Sequence, residues 1–106
     1  MKDVEEGSKN VYADLGMANA GEMLVKARLA AGIGEIIKKR GLTQMEASGI
    51  LNMPQSKLSN MLRGKFRGIS ESKMLECLAR LGKDVEIVVK TPPHRRHGGH
   101  MTVVFS

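Results

Sequence analysis

The stretch from Thr43 to Gly64, TQMEASGILNMPQSKLSNMLRG, leaves this chain few choices of fold. Thr43 followed three residues later by Glu46 is a capping box, in which each side chain satisfies a backbone N–H that the first helical turn leaves open. Ala47, Ile50 and Leu51 then fall on one helical face. Asn52-Met53-Pro54 ends that helix, because Asn tolerates a left-handed backbone and Pro54 disfavours helix in the residue before it. A second helix starts at Pro54 or Gln55, turns Leu58, Met61 and Leu62 inward, and stops at Gly64.

Two short apolar faces joined by such a turn pack across each other at a steep angle. The outer side of the second helix is then left with Gln55, Ser56, Lys57, Ser59, Asn60 and Arg63. None is apolar or acidic, and several carry amide or hydroxyl groups able to bond base edges. This is the layout of a helix-turn-helix whose second helix faces outward.

The charge distribution points the same way. The 106-residue chain has a net charge of +6, but residues 1–22 carry two lysines against five acids. The excess of positive charge therefore lies in the rest. Between Gln55 and Arg67 stand Lys57, Arg63, Lys65 and Arg67 with no acid among them. A polyanionic partner is expected, and these four side chains are the expected phosphate neutralisers.

Residues 1–18 mix charge and glycine without apolar period and read as a flexible acidic arm, from which Val11, Tyr12, Leu15 and Met17 could dock elsewhere. Asn19 with Glu22 predicts the start of a long helix to about Arg40, its core stripe being Val25, Leu29, Ile33, Ile36 and Ile37. Gly32 and Gly34 weaken it unless close packing needs them. Lys38, Lys39 and Arg40 suit its C-terminal dipole, or alternatively a phosphate. After the central motif, Phe66 and Ile69 tuck inward from a basic loop. Ser70 caps a helix from Glu71 to Leu81 with Met74, Leu75, Leu78 and Leu81 inside.

Residues 19–82 thus form one helical domain, and 83–106 an appendage. Asp84–Lys90, DVEIVVK, alternates and is β-branched, so it predicts a strand; Met101–Phe105 predicts a second. A lone hairpin is marginal in water, so these strands call for a partner: each other upon the helices, a second copy, or another protein.

Cys77 is alone, which agrees with a reducing cytoplasm, and it reads as a small core side chain. His94, His97 and His100 are three apart, but Pro92-Pro93 and Gly98-Gly99 argue against the helix a metal site would need, so a solvated basic tail is expected. No cofactor, metal or catalytic constellation is expected, and neither a signal peptide nor a membrane span.

Thr43-Gln44-x-x-x-Ser48, Asn52, and Gln55-x-x-Leu58-Ser59-x-x-Leu62-Arg63-Gly64 resemble the XRE class of helix-turn-helix proteins, which includes the lambdoid phage repressors and Cro. The class usually has Ala at Ser48 and Gly at Asn52; Ser is small, and Asn is the best non-Gly left-handed residue. The resemblance implies a mainly α, lambda-repressor-like helical bundle, here with a short C-terminal strand or β-hairpin. It also implies base reading by Gln55, Ser56 and Asn60, with Lys57 and Ser59 next in line. Gln44, with Thr43 beside it, would hold a phosphate alongside Arg63, Lys65 and Arg67. Gln55 and Asn60 have the chemistry for adenine. A homodimer on a palindromic, double-stranded operator is expected.

More narrowly, the run from about Glu22 to Lys90, including LARLGKDVEIVVK, resembles small antitoxins of the HigA type. That implies a type II pair in which the chain neutralises a small, basic RelE/ParE-like toxin and represses its own operon. The acidic arm, with Asp3, Glu5, Glu6 and Asp14, would then dock the toxin. The alternative is a stand-alone phage-type repressor without a toxin.

Overall fold

A computed structural model describes residues 18–91, 93 and 98–106. Among these residues there are four helices: α1 (Ala18–Lys39), α2 (Gln44–Leu51), α3 (Gln55–Leu62) and α4 (Glu71–Arg80). The acidic arm lies outside the described residues apart from Ala18, as do His94 and His97.

One aliphatic core joins the helices. Leu29, Ile33 and Ile37 of α1 meet Ala47 and Leu51 of α2, Leu58 and Met61 of α3, and Met74, Cys77 and Leu78 of α4. Phe66 and Ile69 close it from the α3–α4 loop, as their sequence predicts. Among the described residues no polar or charged one is buried, so burial is not opposed by desolvation of an unpaired group. Met53 and Ala30, unassigned by periodicity, are also buried.

The helix ends are set locally. Thr43 Oγ1 accepts from Glu46 N at 3.1 Å, and Thr43 N donates to Glu46 Oε1 at 2.8 Å, completing the capping box. Ser70 caps α4 through Lys73 N. Asn52 adopts the left-handed conformation (φ 53°, ψ 51°), and Met53 N donates back to Ser48 O at 3.1 Å. Gly64 takes the same role after α3, with Lys65 N donating to Asn60 O at 2.8 Å. The Ser48 hydroxyl donates to Met45 O, so the substitution of Ser for a small apolar residue leaves no polar orphan. Arg40 Nη1 donates to Leu81 O at 3.2 Å, so this last cation of the basic run ties the end of α1 to that of α4.

Two expectations are corrected. The long helix already includes Ala18, so Asn19 lies within it rather than capping it, and Glu22 pairs with Lys26 at 3.4 Å one turn on. Among the described residues there is no strand. Asp84–Lys90 forms no backbone hydrogen bond, and Met101–Phe105 does not pair with it. The tail instead packs on the helices: Val103 is half-buried against the core, and the Phe105 ring lies over Gly32 of α1. Alternation expresses a preference for strand, but without a hydrogen-bonding partner no strand forms.

Candidate nucleic-acid interface

The turn and both caps fix α3 against the body through Leu58 and Met61. Ser56, Asn60 and Arg63, spaced by one helical turn each, line the opposite face. Gln55, Ser56, Lys57 and Arg63 are exposed, whereas Ser59 and Asn60 are half-buried. Pro54 provides no side-chain cap, so the first backbone N–H groups of α3 stay open beside Gln55 and Ser56. Thr43 and Gln44 are exposed at the start of α2.

The interface is positive because nothing in it cancels its cations. No acidic residue occurs between Glu46 and Glu71. Among the described residues the ion pairs are Lys26–Glu22, Lys73–Glu76 and Arg80–Glu76, all on α1 and α4. Lys57, Lys65 and Arg67 have no carboxylate partner among the described residues. They share a cleft of about 460 Å³ with Asn60, Phe66 and Met23. Met23 is a residue that the sequence did not assign to the site. Its helix lies far away along the chain, and no local pattern marks it.

Arg63 is committed differently from the other cations. Its Nη2 donates to Asn60 Oδ1 at 2.7 Å. The guanidinium thereby orients the amide, whose two N–H donors remain open for an acceptor. Thr43 is likewise in use, because its oxygen holds the cap; only its hydroxyl hydrogen is left for a phosphate. Of the expected site residues, Lys57, Asn60, Lys65 and Arg67 are thus brought to one cleft, Arg63 is joined to it through Asn60, and Thr43 already holds the cap of α2.

Titration is perturbed elsewhere. The Arg80 guanidinium, bonded to Glu76 at 2.9 Å, holds that carboxyl below its usual range, helped by Lys73. Burial pushes the Cys77 thiol up. No group of three or more His, Cys, Asp or Glu among the described residues could hold a metal, and no described helix is long and apolar enough to cross a membrane.

A capped helix, a left-handed turn and a second helix with an open polar, cationic face define a helix-turn-helix domain of the DNA-binding kind. Residues 11–90 match the family model described as "Helix-turn-helix domain". A solved structure named "Putative XRE Family Transcriptional Regulator" superposes with a TM-score of 0.78 at 32% identity, over 83% of this chain and 99% of that one. The chain belongs to the XRE family of helix-turn-helix regulators. Among curated proteins none matches it.

Proposed function

We propose that this XRE-family regulator binds a palindromic operator as a homodimer. Gln55, Ser56 and Asn60 would read base edges with Lys57 and Ser59 beside them, while Gln44, Thr43, Lys65 and Arg67 hold phosphates. Arg63 would have a double duty, holding Asn60 and facing the backbone. The reading is carried by one coincidence: the outward face of α3 is polar and acid-free, and among the described residues the cations around it lack carboxylate partners. Phosphate contacts supply affinity and base contacts supply sequence. No enzymatic role is proposed. Selection from random duplexes tests the reading, with two inverted half-sites expected. Replacing a half-site adenine by its 7-deaza analogue should weaken the wild type but not Gln55→Ala. Recovery of no preferred sequence would refute it.

Within this class we favour an antitoxin over a stand-alone phage-type repressor. The support is the HigA-type resemblance over Glu22 to Lys90 and the acidity of residues 1–22. A basic RelE/ParE-like toxin would be captured by the arm. The adjacent genomic reading frame, co-expressed as a small basic protein, should co-purify with the full chain and not with a chain lacking residues 1–18. Equal capture by both chains would rule out the arm, and the absence of any such neighbour would favour the repressor.

A further inference from the structure

Among the described residues, Asp84–Lys90 is an apolar segment left without packing or backbone partners. Ile87, Val88 and Val89 are 76%, 69% and 92% exposed, so none of them is packed on the core. The backbone of residues 84–90 makes no hydrogen bond, and the tail that might have paired with it is docked elsewhere, Val103 against the core and Phe105 over Gly32 of α1. An unpaired apolar β-branched run of this kind is a template for strand addition.

We infer that Asp84–Lys90 is the homodimer contact, pairing antiparallel with the same segment of a second copy, with Ile87 on the two-fold axis. The sequence is complementary to itself in that register. Ile87 faces Ile87, Val85 faces Val89, and Asp84 faces Lys90, each twice except at the axis, while Glu86 faces Val88 on the other face. Odd-numbered residues then form an unbroken apolar face, while the charged ends of the strand pair with opposite sign. Moving the centre to Glu86 sets two glutamates against each other, and moving it to Val88 pairs Glu86 with Lys90 but leaves Asp84 opposite Pro92, so only the Ile87 register uses the whole segment. A different protein has no reason to match this symmetry, whereas a second copy satisfies it by construction. The inference rests on the proposed dimeric reading of a palindrome and supplies the surface that reading lacks.

The test uses the full chain without DNA. Opposed Cβ atoms in an antiparallel pair lie about 4.5–5.5 Å apart, close enough for a disulfide with small adjustment. Ile87→Cys should therefore cross-link to a covalent dimer under mild oxidation, whereas Val89→Cys should not; the native Cys77 is buried and does not compete. Asp84→Lys should weaken dimerisation in sedimentation roughly ten-fold, and adding Lys90→Asp should restore it. These positions are exposed, so the variants should fold. A wild-type chain that sediments as a monomer, cross-linking at Val89→Cys equal to that at Ile87→Cys, or no rescue in the double variant would overturn the inference. None of these results bears on whether α3 reads DNA. Conversely, a cross-linked dimer that ignores every duplex would sink the DNA reading and leave the contact standing.

Discussion

Replacing Gly32 by alanine sets two effects of opposite sign against each other. Gly32 is inside α1, where alanine is better by about 0.5–1 kcal/mol because the unfolded chain loses freedom and the helix gains a side chain. A Cβ at residue 32 would collide with Cζ, Cε1 and Cε2 of Phe105, so the ring must leave. Full burial of a Phe side chain contributes about 1.5–3 kcal/mol. The ring is 43% exposed in place, so its displacement costs roughly half of that, about 1–1.5 kcal/mol. The net expectation is a change between neutral and about 1 kcal/mol destabilising. Gly34 is the control, since a Cβ there meets only Leu62 Cδ2 at 3.4 Å, an ordinary contact. Gly34→Ala should stabilise by about 0.5–1 kcal/mol. In a Phe105→Ala background, Gly32→Ala should recover the full helical gain, giving a coupling of about 1 kcal/mol, above the scatter of additive pairs. Urea unfolding followed by circular dichroism measures all of these. Equal stabilisation by Gly32→Ala and Gly34→Ala in both backgrounds would refute the docking of the tail.

Thr43→Ala should cost about 1 kcal/mol of stability by opening the capping box, measured by the same unfolding curves. Asn52→Ala should cost about 1–2 kcal/mol because residue 52 is left-handed, whereas Asn52→Gly should be tolerated. The folded-state pKa of Glu76 is lowered, so its stabilisation is present above the unfolded value and lost as pH falls through the folded one. Glu76→Gln should therefore differ from the wild type at neutral pH, with the difference vanishing in acid. Cys77 is buried and its thiol pKa raised, so alkylation should proceed only as fast as the domain opens and should quicken in urea. Fast labelling in native buffer would contradict that.

What could be read in the sequence was what is decided locally. The Thr43–Glu46 box, the Asn52 turn, the Ser70 cap and the inward stripes of all four helices depend on residues a few positions apart. The structure has each where spacing places it. Long-range contacts were not legible. Gly32 signals that something comes close but not that Phe105 does, and Met23 carries no mark of the cleft it helps line. The strand at Asp84–Lys90 was inferred from residue preference, yet preference supplies no partner, and the segment stays unpaired. For the interface, the sequence supplied that Gln55, Ser56, Lys57 and Arg63 are exposed; it did not show that Ser59 and Asn60 are half-buried or that Arg63 is already bonded to Asn60. That bond changes the expected behaviour of Arg63→Ala, which should erode specificity along with affinity.

The central claim, that α3 reads bases while the cations beside it hold phosphates, is tested most directly by the salt dependence of binding to a selected operator. Plots of log K against log salt should be linear for the wild type, with a slope that falls in magnitude by about 2 for Lys65→Ala and again for Arg67→Ala, because each change removes one phosphate contact from both protomers, for operator and random duplex alike. Gln55→Ala should leave the slope unchanged and reduce only the preference for operator, by about 1–3 kcal/mol per half-site. If Gln55→Ala changes neither quantity, or if Lys65→Ala and Arg67→Ala leave the slope intact, α3 and its loop are not the DNA-binding face and the account is wrong.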